Sequence, residues 1–211
     1  MSVVQEYLDS NLKDTYIEGN ISDVPELVEF LKNQLEQFKP WKVLHVGFNA
    51  GHSAEIILNT DSVCSLVSID LGIHTYVAPS AANLSSKIDK ELVVILGDSR
   101  KQLKVLHNQQ WGKFDMIYLD GGSQHSIVEQ SIIDCIPLSH ENTVIVLNGV
   151  DKRVDSDRPE WCEGPTLTWL TCTGELWKTE QPNLLIEHEY CEAPGVGRGA
   201  VTGKFNPHVF I

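Results

Sequence analysis

Five short apolar runs, separated by segments of helical length, constrain the fold of this 211-residue chain more than any other feature. The runs are rich in Val, Ile and Leu and lack the polar alternation of a strand that has one face in water. Such runs are typical of strands covered on both faces in a parallel sheet. They span residues 42–46, 66–69, 92–96, 116–119 and 143–147.

The intervening segments have the length of crossover helices and span residues 53–58, 77–88, 102–107 and 124–136. The alternation predicts an α/β fold, a doubly wound Rossmann-like sheet with helices on both faces. Before the first strand, residues 22–38 place apolar side chains on one helical face. Ser22 or Asp23 is the expected N-cap of this helix, with Pro25 in its first turn.

The C-terminal part departs from the alternation. LLIEHEY (184–190) and AVTGKF (200–205) are separated only by the loop CEAPGVGRG, which predicts two neighbouring antiparallel strands. The sheet then has seven strands, with an antiparallel final strand. Charged and turn-forming residues predict a loop over residues 151–164 and a helix over 166–176. We expect residues 1–40 to form an N-terminal helical cap on a ligand-binding domain at 41–211, in one structural domain overall.

The charge and the cysteines limit the class of protein. A net charge of -13 disfavours nucleic-acid and membrane partners, which bind through clustered basic residues. The N-terminus lacks a signal-peptide pattern, and no apolar run reaches the roughly 20 residues that span a bilayer. Five scattered cysteines without a CxxC pair indicate reduced thiols. We therefore expect a soluble, cytoplasmic protein.

Two glycines interrupt the stretch KVLHVGFNAGHSAEIIL directly after the first strand. Gly47 and Gly51 lack a Cβ atom, so a ligand can approach the backbone between the strand and the next helix. The next strand ends in Asp70, nineteen positions after Gly51, where a carboxylate can accept hydrogen bonds from ribose hydroxyls. The pattern favours a nucleoside-containing ligand over a tight turn without one.

The third and fourth strands also end in polar residues. LGDSR places Asp98 and Ser99, and YLDGG places Asp120, at the same edge of the sheet. Each carboxylate has an alternative role as a helix N-cap or turn former.

These motifs together resemble the class I S-adenosylmethionine-dependent methyltransferases. VLHVGFNAGHSA is similar to the first motif of that family, SID to the second, GDS to the third and FDMIYLDGG to the fourth. DGG and VLNGV are similar to the small catechol-type O-methyltransferases. The resemblance implies that S-adenosyl-L-methionine is the cofactor and 41–211 its binding domain. It places its methionine part along Gly47, Phe48, Asn49 and Gly51, its ribose on Asp70, its adenine at Asp98 and Ser99, and Asp120 between cofactor and substrate.

The chain departs from the family pattern at two places. The first motif reads GFNAG, so Asn49 must adopt the backbone turn that glycine usually provides. Catechol-type enzymes bind a divalent metal through an Asp after strand four and an Asp-Asn pair after strand five. This chain retains Asp120 but has Asn148 and Gly149, a poor ligand set for a hard cation, so we expect no metal. Asp151 is left open as a replacement ligand.

Methyl transfer to oxygen or nitrogen needs a base, and we assign catalytic roles to Asp120 and His125. A capping or exposed role for His125 is equally open, and His52 is a weaker candidate. We place Trp161, in the loop RPEWCEGP, and Asn148 at the substrate. By analogy of fold, Tyr16, Ile17 and Gly19 form the opposite wall.

The expected function is O-methylation of a small-molecule acceptor from S-adenosyl-L-methionine without a well-formed metal site, with N-methylation left open. A homodimer is left open. A non-catalytic S-adenosylmethionine-binding protein is the main alternative. An NAD-dependent oxidoreductase would share the glycine turn and Asp70, although GxGxxG is absent. An aminopropyltransferase resembling spermidine synthase would share the fold.

Overall fold

A seven-stranded sheet forms the centre of the protein in the computed structural model, which describes residues 2–13, 15–153, 159–176, 183–193 and 197–210. Its strands are β1 (Lys42–Val46), β2 (Ser65–Asp70), β3 (Glu91–Leu96), β4 (Phe114–Leu119), β5 (Ser139–Val150), β6 (Leu185–Ala193) and β7 (Arg198–Phe205). Their order in the sheet is β3-β2-β1-β4-β5-β7-β6.

Helices cover both faces of the sheet. They are α1 (Val3–Asn11), α2 (Pro25–Phe38), α3 (His52–Leu58), α4 (Val77–Lys87), α5 (Ser99–Asn108), α6 (His125–Cys135) and α7 (Glu160–Cys172). Helices α1 to α4 pack into one hydrophobic cluster, and α5 to α7 pack into a second one on the opposite face. In the described part of the chain, none of the helices combines the length and apolarity needed to cross a bilayer.

The central parallel strands β1 and β4 are largely apolar because both of their faces are buried. In β4, Met116 and Tyr118 belong to the first cluster, whereas Ile117 and Leu119 belong to the second. Successive side chains of a strand point to opposite faces, so a strand between two helical layers needs apolar residues at every position. The predicted α/β fold with five parallel strands is confirmed.

The seventh strand runs antiparallel to both of its neighbours, β5 and β6. Gly199, near the start of β7, pairs with Val150 at the end of β5. The first residues of β7 therefore lie at the sheet edge where the parallel strands end. The predicted antiparallel final strand is confirmed.

The prediction of a loop up to residue 164 is wrong, because α7 begins at Glu160. Packing overrides the turn-forming composition of EGP here. A Cβ atom at Gly164 would lie 2.0 Å from the carbonyl oxygen of Ser123, so only glycine allows α7 to approach the loop before α6 this closely. The hydroxyl of Thr168 donates to the Gly164 carbonyl at 2.8 Å. Residues 154–158 and 194–196 of the predicted loops lie outside the described residues.

The predicted N-cap of α2 is also wrong. Residues Ile21–Asp23 form a short 3-10 helix, and Asn20 accepts a hydrogen bond from the Ser22 amide at 2.9 Å. Helix α2 begins at Pro25 without a side-chain cap. Pro25 thus starts the helix with a fixed φ, as expected for proline in a first turn.

His45 lies in β1 beneath the glycine loop and is fully buried. Its Nδ1 atom is 3.0 Å from Ser68 Oγ and its Nε2 atom is 3.3 Å from Ser53 Oγ. Burial lowers the pKa of His45 to about 3, from 6.5 in an unfolded chain. The unfolded chain therefore binds a proton below about pH 6.5 that the folded protein does not bind until about pH 3.

We expect His45 to make the protein less stable in acid. Its contribution to the free energy of unfolding is complete above pH 6.5 and falls by about 2 kcal/mol between pH 7 and pH 5. Denaturant unfolding at both pH values, for the wild type and His45→Gln, measures this, since glutamine does not titrate. The exposed residue His107, changed to glutamine, is the control. Equal losses of stability in the wild type and His45→Gln would contradict the assignment.

Candidate functional site

A cavity of about 750 Å³ opens at the edge of the sheet where β1, β2 and β4 end. This volume lies within the range of small-molecule and cofactor sites. Residues of the loops after these strands line it, together with the segment before α2, the start of α7 and the start of β7. The site therefore lies where ligands bind in open α/β sheets.

Contacts within the protein require glycine at both positions of the first loop, 47 and 51. Gly47 has φ +101°, and a Cβ atom there would lie 2.5 Å from the backbone oxygen of Asp120. Gly51 also has φ +101°, and a Cβ atom there would lie 2.8 Å from the ring of Phe48. Gly47 thus brings the first loop against the fourth, and both glycines border the cavity.

Phe48 is only 1% exposed, and its ring packs in the core. The part of Phe48 that is available to a ligand is therefore its backbone and not its ring. Asn49 has φ +52°, the left-handed conformation that the sequence requires of it. Its side-chain oxygen accepts a hydrogen bond from the Tyr76 hydroxyl at 2.7 Å. Its side-chain nitrogen, Nδ2, donates to the Gly19 carbonyl at 2.8 Å.

The hydrogen bond from Asn49 ties the segment before α2 to the glycine loop. Tyr16 and Gly19 line the cavity, as the analogy of fold suggested, whereas Ile17 is absent from the lining and packs against the core. His74 contacts the same segment, since its Nε2 atom is 2.7 Å from Glu18 Oε2.

Asp70 lies beside the glycine loop and faces the cavity. Its Oδ2 atom accepts the Asn49 amide and its Oδ1 atom accepts the Gly72 amide, each at 2.8 Å. An ionised carboxylate has about four acceptor positions, so two remain for a ligand. The position and capacity of Asp70 are compatible with binding the two hydroxyls of a ribose.

Asp98 and Ser99 line the cavity, but their side chains already have partners. Asp98 caps α5 through the Arg100 amide and forms a 2.6 Å ion pair with the Arg100 guanidinium. The hydrogen bond from the Arg100 side chain lowers the pKa of Asp98 to about 2. The Oγ atom of Ser99 is 3.3 Å from that of Ser131. Asp98 therefore has the alternative role named for it, a helix N-cap.

Asp120 is exposed at the cavity surface, although protein atoms are dense around its carboxyl group. Asn148 Nδ2 donates to its Oδ1 atom at 2.7 Å, and the Tyr118 hydroxyl donates to its Oδ2 atom at 3.4 Å. Burial raises the pKa of Asp120 to about 6, opposed by the Asn148 hydrogen bond and the charge of Arg198. A carboxyl group with this pKa is ionised near pH 7 and is a stronger base than an ordinary aspartate.

His125 does not contribute to the cavity lining. Its Nδ1 atom is 2.8 Å from the Thr168 hydroxyl on α7, and its Nε2 atom is 3.9 Å from Glu129 on α6. The contact with Thr168 connects α6 to α7, so the geometry favours a structural role over that of a base. His52 does line the cavity, and burial lowers its pKa; its Nε2 atom is 3.3 Å from the Gln5 side chain.

Trp161 on α7 and Arg198 on β7 line one side of the cavity. Trp161, in the first turn of α7, is 41% exposed. The Arg198 guanidinium carbon is 5.5 Å from the centre of its ring. The sequence pointed to Trp161 but missed Arg198, which fell within the predicted loop CEAPGVGRG. An antiparallel strand that starts at the cavity edge was the signal that could have identified it.

The groups beside Asp120 are ill suited to bind a metal. Asn148 directs an N-H group, not an oxygen, at the Asp120 carboxylate. Asp151 is fully buried and forms a 2.7 Å ion pair with Arg153. Within the described ranges, no group of three or more His, Cys, Asp or Glu side chains is arranged to hold a metal ion.

Comparisons with known proteins rest on structure, because no protein-family model and no curated protein sequence matches the chain. The O-methyltransferase from Bacillus cereus, solved with S-adenosylhomocysteine, is 14% identical with a TM-score of 0.70, over 98% of this chain and 91% of that one. The O-methyltransferase TomG from Streptomyces achromogenes, involved in tomaymycin synthesis and solved with S-adenosylmethionine, is 15% identical with a TM-score of 0.67, over 97% and 87%. The S-adenosylhomocysteine-bound methyltransferase PaMTH1 from Podospora anserina is 18% identical with a TM-score of 0.64, over 97% and 88%. The chain has the fold of these methyltransferases.

Proposed function

We propose that the protein is an S-adenosylmethionine-dependent methyltransferase that methylates an oxygen of a small-molecule acceptor. One observation carries the proposal. A single cavity brings together the glycine loop, the Asp70 carboxylate and the Asp120 carboxylate, whose pKa is raised to about 6. Similar folds in which S-adenosylmethionine or S-adenosylhomocysteine is bound support the choice of cofactor.

The residues of the cavity fit this cofactor. The backbone at Gly47 and Gly51 carries no side chain that would exclude the methionine part, and Asp70 retains acceptor positions for ribose hydroxyls. Asp98 is engaged with Arg100, so we assign the adenine contact to the backbone around Ser99. The Tyr76 and Asn49 side chains hold the first loop in place before any ligand arrives.

The protein contributes alignment and a base. S-adenosylmethionine, when bound, supplies a methyl group whose transfer forms a C-O bond and breaks a C-S bond, leaving S-adenosylhomocysteine. Asp120 accepts the proton of the acceptor hydroxyl, because its raised pKa makes that transfer less unfavourable. Asn148 fixes the carboxylate through its 2.7 Å hydrogen bond. Trp161 and the segment before α2 border the cavity and limit access of water to it.

Turnover tests the proposal directly. The purified protein is incubated with S-adenosylmethionine and a panel of phenols, alcohols and amines, and mass spectrometry follows S-adenosylhomocysteine and the methylated products. We expect product from at least one hydroxyl acceptor. Cofactor binding without any product would favour the alternative of a non-catalytic binding protein. The antiparallel β7 argues against an NAD-dependent oxidoreductase, since dinucleotide-binding sheets have six parallel strands.

We expect methyl transfer to be independent of divalent metal. The Asp120 carboxylate accepts an amide N-H and Asp151 is paired with Arg153, so these two residues offer a hard cation no pair of free carboxylates. Dialysis against EDTA should leave kcat and KM unchanged within error, and added Mg²⁺ should not raise the rate. Loss of activity in EDTA that Mg²⁺ restores would contradict this expectation.

We also propose a cytoplasmic location. Cys64, Cys135, Cys172 and Cys191 form no disulfide, as is usual where thiols are kept reduced. The acceptor proposed above is a small molecule, because the lining belongs to a cavity of cofactor size and the net charge of -13 disfavours nucleic acid.

A further inference from the structure

Arg198 carries a positive charge at the cavity that the proposed reaction does not use. It is the first residue of β7, and the antiparallel direction of that strand brings it to the edge where β4 and β5 end. It lines the same cavity as Asp120, Asn148 and Trp161. Its positive charge acts on the Asp120 carboxyl group and lowers the pKa of that group, against the effect of burial.

The Arg198 guanidinium lacks an anionic partner among the described residues. Its Nε atom is buried and has no hydrogen-bond acceptor within those same ranges. Two other cations near this end of the sheet are paired: Arg100 with Asp98, and Lys152 with Glu187. A positive charge at the cavity that no described carboxylate balances favours an anionic ligand there.

The surroundings of Arg198 indicate which acceptor fits. The two terminal nitrogens of a guanidinium lie side by side, which matches the two oxygens of a carboxylate. Trp161, 41% exposed, and Pro165 are apolar residues of the same lining, and the guanidinium carbon lies 5.5 Å from the centre of the Trp161 ring. An aromatic ring can pack against such residues. A methyl-accepting hydroxyl must meanwhile reach Asp120.

We propose that the acceptor is a hydroxylated aromatic carboxylate, whose carboxylate binds Arg198 and whose hydroxyl meets Asp120. This inference rests on the proposed function and specifies its substrate class. The ring lies between the two groups and against Trp161. The negative charge of such an acceptor also balances the positive charge that Arg198 places in a site built for a sulfonium.

A binding experiment on matched probes tests the inference. S-adenosylhomocysteine is titrated first by calorimetry, and the saturated protein is then titrated at pH 8 with dihydroxybenzoate and with the corresponding dihydroxybenzamide. The two probes share the ring and hydroxyls and differ in charge. We expect the carboxylate to bind about 10- to 100-fold more tightly than the amide, the difference typical of a charge-assisted hydrogen bond.

Variants separate Arg198 from other sources of preference. Arg198→Gln should reduce the ratio of the two dissociation constants to about 1, and Arg198→Lys should retain part of it. Lys204→Gln, which removes a cation from the same strand away from the cavity lining, should leave the ratio unchanged. Thermal unfolding of each variant checks that it is folded.

The outcomes distinguish the two proposals. Failure to bind S-adenosylhomocysteine would contradict the proposed function itself. A ratio near 1 in the wild type with S-adenosylhomocysteine bound, or no detectable binding of either probe, would contradict the substrate class alone. Equal weakening of both probes in Arg198→Gln, with a displaced pH profile of turnover, would show that Arg198 acts by tuning Asp120 instead.

Discussion

Replacing Asp120 with asparagine is expected to lower kcat/KM for methyl transfer by about 10²- to 10⁴-fold, the usual contribution of a general base. Asparagine has the same shape and can still accept the hydrogen bond from Asn148, so the loss reports the missing base and not a rearranged loop. Steady-state kinetics with S-adenosylhomocysteine as the measured product gives the value. Asp89→Asn, at an exposed position, is the control and should leave kcat/KM unchanged.

The pH dependence of the same reaction follows from the raised pKa of Asp120. Its carboxyl group, with a pKa of about 6, accepts a proton only when ionised, so the rate should fall as the pH decreases through 6. The residual rate of Asp120→Asn should lack this acidic limb. An unchanged kcat/KM in the variant would remove Asp120 as the base. Equal losses of activity and cofactor affinity would show that it only contacts the cofactor.

Gly47→Ala is expected to destabilise the protein by about 2–5 kcal/mol, the sum of a strained backbone and an overpacked contact. The residue has φ +101°, and the added Cβ atom would lie 2.5 Å from the Asp120 carbonyl oxygen, a backbone atom that cannot move without the loop. Displacement of that loop should also weaken S-adenosylmethionine binding at least tenfold. Denaturant unfolding and calorimetry measure the two effects.

Gly112→Ala separates the two causes. Gly112 has φ +84°, but a Cβ atom there would meet nothing closer than the Lys42 amine at 3.8 Å. Its substitution should therefore cost about 1 kcal/mol, the backbone part alone. Equal destabilisation by the two substitutions would show that the contact between Gly47 and the Asp120 loop does not matter.

The sheet could be predicted from the sequence because burial on both faces requires apolar residues at consecutive positions, as in β1 and β4. The start of α7 could not. The turn formers in EGP are there for packing, since Gly164 allows contact with the loop before α6, and no local pattern records that contact. The sequence also did not predict α1 as a separate helix within the N-terminal cap. The Glu55 carboxylate of α3, which accepts hydrogen bonds from the Val3 and Val4 amides, fixes its beginning.

The candidate site was predictable where a residue ends a parallel strand. Asp70 and Asp120 were expected at one edge on this ground, because the carboxyl ends of parallel strands meet there, and both line the cavity. Arg198 begins an antiparallel strand, so its place at that edge depends on the direction of β7. His125 was chosen for its distance along the chain from Asp120, but the rotation of α6 turns its ring towards Thr168. Side-chain direction on a helix depends on packing that residue spacing alone does not determine.

Calorimetric titration of the purified protein with S-adenosylmethionine, and in parallel with NAD, tests most directly what the cavity binds. We expect saturable binding of S-adenosylmethionine at one site per chain, no binding of NAD, and at least tenfold weaker binding in Asp70→Asn, which loses the charge beside the glycine loop. Binding of NAD without S-adenosylmethionine would contradict the proposed function. Binding of neither would mean that Gly47 and Gly51 serve only to pack the first loop against the fourth.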